Sequence, residues 1–75
     1  MDSAQRLGKR VAGLRAQRQL STQDIAGKTG LQYQTIWRIE RGIHKNPGIF
    51  TMRALARALG CTLDWLADIY GDEGS

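Results

Sequence analysis

Apolar residues recur along the chain at intervals of three and four, the spacing that places side chains on one face of an α-helix. In the first such segment Leu7, Val11 and Leu14 form a single stripe. Near residue 50 another apolar face is formed by Ile49, Met52, Leu55, Ala56 and Leu59. The pattern predicts an all-α fold with helices over residues of about 3–18, 22–29, 32–41, 49–59 and 63–70.

Two of these helices are separated by a very short turn. Ser21 is suited to cap the first of the two, and Asp24 stands three residues on, as in a capping box. Gly30 follows where a left-handed residue would end that helix, since glycine has no Cβ to clash. Ala26 is small enough for two helices to cross closely. We therefore predict a helix-turn-helix, with an ordinary helical hairpin as the alternative.

The second of these helices presents a polar outer face. With about 100° of rotation per residue, Ile36 and Ile39 point inward. Gln34, Arg38 and Arg41 then point outward, with Trp37 beside them and Tyr33 on the flank of the first turn. Glutamine bonds bidentately to adenine and arginine to guanine, so this face suits the major groove of DNA.

Charge is unevenly distributed along the 75 residues, whose net charge is +4. All eleven Lys and Arg residues lie at or before Arg57, where the net charge is +8, and residues 58–75 carry −4. A basic body with an acidic end suggests a surface that faces a polyanion. Chance asymmetry on a solvated surface is the alternative explanation.

The remaining composition narrows the class of protein. The length predicts one domain over residues 1–70, followed by a flexible acidic tail over 71–75. One cysteine, no signal-peptide pattern and no apolar run long enough to span a bilayer predict a cytoplasmic protein. No residues are placed to cooperate in catalysis, and the lone His44 has no partner at ligand spacing. We expect no enzyme activity, no metal and no cofactor.

Residues 7–66 resemble the Cro/repressor-like (XRE) helix-turn-helix family of the lambdoid phage repressors. The resemblance rests on a set of matching positions spread over most of the chain: Leu14-Arg15, Leu20-Ser21, Ile25-Ala26, Gly30, Ile36, the run from Arg38 to Gly42, Pro47, Leu55-Ala56, Ala58-Leu59-Gly60 and Asp64-Trp65-Leu66. It implies a compact five-helix, lambda-repressor-like DNA-binding domain whose third helix reads the major groove.

The resemblance also implies a structural ion pair between Arg15 and Glu40. The helical wheel turns Glu40 inward, where a carboxylate without a partner would be costly. A local pair between Glu40 and Arg41 at the surface is the alternative.

The DNA contacts are predicted from the outer face and the resemblance together. Base contacts are expected from Gln34 first, then Tyr33 and Arg38, and last Gln32. Contacts to backbone phosphate are expected from a second group: Thr22, Gln23, Thr35, Trp37, Arg41, Lys45 and Asn46. The chain departs from the family in having Thr22, with Gln23 one place on, where Gln is usual, and Gln32 where Ser or Thr often caps the third helix.

The last predicted helix has more apolar surface than one narrow seam can bury. Its surplus residues Trp65 and Ile69, together with Cys61, are predicted to form a homodimer interface, although Trp65 could instead cover the core of one protomer. The function predicted is a sequence-specific double-stranded DNA-binding transcriptional regulator, a repressor on a palindromic operator. The alternatives are an antitoxin-type protein that neutralises a toxin partner and autoregulates, or a restriction-modification controller.

Overall fold

The computed structural model describes residues 3–66, which form four complete helices and the first turn of a fifth. The helices are α1 (Ser3–Gln17), α2 (Thr22–Thr29), α3 (Tyr33–Glu40) and α4 (Ile49–Leu59). Residues 63–66 are again helical, and no strand occurs between residues 3 and 66. The predicted all-α fold is confirmed. The rest of the predicted fifth helix, with Ile69, and the acidic tail lie outside the described residues.

The start of α2 is fixed by a reciprocal pair of hydrogen bonds. The Asp24 backbone N–H donates to Ser21 Oγ at 3.0 Å, and the Ser21 backbone N–H donates to Asp24 Oδ2 at 2.8 Å. Both donors would otherwise lack an intrahelical partner. The backbone hydrogen bond from Ser21 lowers the pKa of the Asp24 carboxyl. The capping box therefore depends on the ionised side chain.

The turn between α2 and α3 is held by glycine and by a threonine hydroxyl. Gly30 has φ +76° and donates its N–H to the Ala26 carbonyl at 2.9 Å. Thr29 Oγ1 donates to the Ile25 carbonyl at 2.7 Å and accepts the Leu31 N–H at 3.1 Å. The hydroxyl thus satisfies polar groups on both sides of the turn, which fixes the direction in which α3 leaves it.

One core is shared by all the helices. Its buried hydrophobic members come from every helix and from the turn at 63–66: Leu7, Val11, Ile25, Ile36, Ile39, Met52, Leu55, Ala56, Leu59 and Leu66. The placement of Ile49 on the apolar face of α4 was wrong, because its side chain is 54% exposed. Ile49 is the first residue of α4, and the inward face of that helix begins only at Met52.

α1 packs against the carboxyl end of α3 at very short range. A Cβ on Gly8 would lie 2.5 Å from the carbonyl oxygens of both Ile39 and Glu40. No side chain larger than hydrogen fits there without moving one of the two helices. Gly8 lowers the helix propensity of α1, and the packing of α1 on α3 requires it.

Candidate nucleic-acid interface

The inner face of α3 is buried in the hydrophobic core. Ile36 and Ile39 are fully buried. The other side of the same helix is open to solvent, with exposed Gln34 and Arg38 flanked by Tyr33 and Trp37. Because the helix cannot rotate without exposing its two isoleucines, the core determines which side chains face outward.

Arg15 and Glu40 form the ion pair that links α1 to the end of α3. Arg15 Nε lies 2.7 Å from Glu40 Oε2, and Arg15 Nη2 lies 3.0 Å from Glu40 Oε1. The Arg15 and Glu40 side chains are 24% and 12% exposed. Arg15 Nη1 also donates to the Leu20 carbonyl at 3.0 Å. The Arg15 guanidinium thus joins α1 to the link before α2 and to the end of α3. These contacts fix the position of α3 relative to α1.

The hydrogen bond to Glu40 also affects the basicity of Arg15. It raises the pKa of the Arg15 guanidinium above its ordinary value, so Arg15 stays charged throughout the physiological range. Arg41, the alternative partner considered for Glu40, lies over a different group, the ring of Trp37.

Trp37 contacts Arg41, which lies one turn further along the chain. The Arg41 Cζ atom lies 4.6 Å from the centroid of the Trp37 ring, in a cation–π contact. On the amino-terminal side, Tyr33, Gln34 and Trp37 together line a cavity of about 270 Å³ that opens outward from α3. We call this cavity the aromatic notch. Tyr33 is 48% exposed and Trp37 43% exposed.

The other predicted DNA contacts lie on three segments. Thr22 and Gln23 are in the first turn of α2, where Thr22 Oγ1 is 3.4 Å from Gln23 Oε1. Gln32 precedes α3 in an extended conformation, with no side-chain capping bond, and Thr35 is half-buried in the first turn of that helix. Lys45 and Asn46 are exposed in the loop between α3 and α4.

The predicted dimer residues have different environments. Cys61 is half-buried against the core, and burial raises the pKa of its thiol. Trp65 is 44% exposed, with Arg10 Cζ 4.6 Å from its ring centroid and Arg10 Nη1 2.7 Å from its carbonyl oxygen. Arg10 therefore covers part of the indole and joins α1 to the turn at 63–66. Ile69 lies outside the described residues.

Three further large apolar side chains are exposed, which the sequence analysis did not predict. Ile43, Ile49 and Phe50 are all large and exposed, and Phe50 is 81% exposed. They lie on either side of the loop that joins α3 to α4. The helical wheel carries a signal for Phe50, which falls away from the stripe that begins at Met52.

Comparison with known proteins agrees with this geometry. Residues 11–66 match the helix-turn-helix family model HTH_3. The chain belongs to the helix-turn-helix family of the Cro/C1 type, a class of DNA-binding domain, which confirms the resemblance found in the sequence. It is 33% identical over 60 residues to the uncharacterised HTH-type transcriptional regulator y4dJ of Sinorhizobium fredii (strain NBRC 101917 / NGR234), covering 80% of this chain and 77% of that protein. No solved structure matches the chain.

Residues 3–66 contain neither a membrane-spanning helix nor a cluster of metal ligands. None of the helices there combines the length and the apolar character that crossing a membrane requires. Over the same residues, no three His, Cys, Asp or Glu side chains are grouped so that they could hold a metal ion.

Proposed function

We propose that this protein is a sequence-specific transcriptional regulator that reads duplex DNA with the outer face of α3. The observation that carries the proposal is the division of α3 into a buried apolar face and an exposed face with Gln34 and Arg38. The similarity to a protein described as a transcriptional regulator supports it.

Docking follows from the helix-turn-helix geometry. The amino-terminal end of α3 enters the major groove, where Gln34 bonds to adenine and Arg38 to guanine. Tyr33 and Gln32 lie at the same end and contact neighbouring base edges. The start of α2 approaches a phosphate through Thr22 and Gln23, assisted by its free backbone N–H groups.

The remaining phosphate contacts come from the edge of α3 and from the following loop. Thr35 lies in the first turn of α3, and Trp37 and Arg41 lie farther along it. Lys45 and Asn46 extend the same basic surface into the loop. Through their phosphate contacts these groups position the domain on the duplex, and such contacts carry no sequence information.

We propose further that the protein acts as a cytoplasmic homodimer on a palindromic operator and represses by occluding the promoter. Two recognition helices about 34 Å apart would meet successive major grooves on one side of the duplex. Trp65, Cys61 and Ile69 are the proposed contact, and the half-exposed indole of Trp65 supports it. Phe50, which is 81% exposed near the start of α4, marks the competing surface.

A binding-site selection on the full chain tests the main proposal. It should yield a two-fold related sequence, and affinity for that sequence should fall by orders of magnitude between about 50 and 200 mM salt, because Lys and Arg displace condensed counterions. Absence of any enriched sequence, or an affinity independent of salt, would reject DNA reading by this chain.

Sedimentation of two matched variants tests the dimer. Trp65→Asp should give a folded monomer with weaker operator binding, and Phe50→Asp should leave the dimer intact. The reverse result would move the interface to the loop between α3 and α4, and two unchanged dimers would exclude both surfaces.

A further inference from the structure

The aromatic notch lies outside the hydrophobic core. Its lining residues Tyr33, Gln34 and Trp37 are all exposed, whereas the core contacts of α3 are made by Ile36 and Ile39. Two large aromatic side chains one turn apart thus present apolar surface on the face that we propose meets DNA. Burying such apolar surface against a ligand is favourable, because it removes the surface from water.

The geometry of Trp37 makes the notch a defined shape. Arg41 lies over its ring from the carboxyl-terminal side, at 4.6 Å from the centroid. Tyr33 and Gln34 border the cavity from the amino-terminal side. The indole therefore has Arg41 over its ring and also lines an open cavity with Tyr33 and Gln34.

The chemistry of the major groove limits what such a notch can receive. The base edges there present donors, acceptors and a single apolar group, the C5-methyl of thymine. The lining is two aromatic rings and one amide, without a charged group that would favour phosphate. The amide of Gln34 can meanwhile bond to the adenine of the same base pair or of its neighbour.

We propose that the aromatic notch reads a 5-methylpyrimidine, and specifically that it holds the C5-methyl group of an operator thymine against Tyr33 and Trp37. This inference rests on the proposed function, because it requires α3 to lie in the major groove. It adds a base-reading role for the ring of Trp37, whose indole N–H can still donate to a phosphate. Sequence preference would then come from an apolar contact as well as from hydrogen bonds.

The test replaces single thymines of the selected operator with deoxyuridine, which removes one methyl group and leaves base pairing unchanged. At one thymine position, the deoxyuridine operator should bind wild-type protein about four-fold more weakly per half-site than the thymine operator. This is the effect expected for the loss of one buried methyl group. In Trp37→Ala the thymine and deoxyuridine operators should bind equally. The matched control Arg38→Ala should bind both more weakly and keep the four-fold ratio.

A second pair of operators separates the methyl group from the rest of thymine. At the same position, a 5-methylcytosine–guanine pair should bind about four-fold more tightly than an unmethylated cytosine–guanine pair. Circular dichroism melts of each variant establish that it is folded.

Failure of the notch proposal and failure of the DNA-binding proposal give different results. If no deoxyuridine lowers wild-type affinity, if the ratio persists in Trp37→Ala, or if methylating cytosine has no effect, the notch does not read a methyl group. Any of these results with a selected operator in hand leaves the DNA-binding proposal intact. A selection that enriches no sequence would reject that proposal instead.

Discussion

The two faces of α3 obey different constraints, although they belong to the same eight residues. On the inner face, Ile36 and Ile39 are fully buried, and α1 approaches so closely that Gly8 has no room for a Cβ. On the outer face, Tyr33 and Trp37 remain about half exposed. The inner face therefore fixes the position of the helix, and the outer face is free of that packing constraint.

The comparison predicts that changes on the inner side alter stability, and that changes on the outer side alter sequence preference. The largest effect is expected where α1 meets α3. Gly8→Ala places a methyl group against two backbone carbonyls, which cannot move as a side chain could, and should lower the free energy of unfolding by about 3 kcal/mol. Urea unfolding followed by circular dichroism measures it.

Gly13→Ala is the matched control on the same helix. Nothing lies within 4 Å of its Cβ position, so the substitution should raise stability by about 1 kcal/mol through helix propensity alone. Equal effects of the two substitutions would mean that the close approach of α1 to α3 is absent in solution.

Next in size is the ion pair. Arg15→Ala should cost about 2 kcal/mol, because it leaves the largely buried Glu40 carboxylate without its partner. Glu40→Ala should cost less, since the more exposed Arg15 can turn to solvent. The double variant should cost less than the sum of the two single variants, and strict additivity in this cycle would show that the pair contributes no coupling.

The outer face should behave oppositely. Gln34→Ala should leave the melting temperature unchanged, weaken operator binding by about 1–3 kcal/mol and relax the preference at one base position. Asn46→Ala, at a proposed phosphate contact, should weaken binding to all sequences alike. Binding-site selection with both variants makes the measurement. A selected site that is unchanged in Gln34→Ala would remove Gln34 from the base readers.

The smallest effect concerns Asp24, which is exposed but hydrogen-bonded to the fold. Because folding lowers the pKa of its carboxyl, the stabilisation is present above the unfolded pKa of about 4 and is lost as pH falls through the lower folded value. Wild type should therefore melt above Asp24→Asn near neutral pH, and the two should converge in acid. Melting curves that stay parallel from pH 2 to 7 would contradict this role.

The local signals in the sequence were sufficient for the fold class and for the helix-turn-helix. The capping pair of Ser21 and Asp24 and the left-handed Gly30 act within a few residues, so the sequence shows them directly. The inward positions Ile36 and Ile39 follow from helical periodicity in the same way. The choice of Gln34 and Arg38 as base readers rests on that periodicity too, and stays a prediction.

Three features were beyond that reasoning because they join distant parts of the chain. Gly8 lowers the helix propensity of α1, and only the carbonyls of Ile39 and Glu40 beside it explain why glycine is required there. The contact of Arg10 with Trp65 spans 55 positions in the sequence. Ile49 lies at helical spacing from Met52, but its side chain is exposed because the core does not extend to the first residue of α4.

The sequence by itself determined the secondary structure of the described helices and the residue types on the outside of α3, since both depend on neighbours within one or two turns. Only the tertiary structure decided how closely α1 approaches α3, which cation pairs with Glu40, and that Trp37 both contacts Arg41 and lines an open notch. Periodicity specifies a direction around one helix axis. Distances between helices depend on how all their side chains fill a single core, a property that no local stretch of sequence contains.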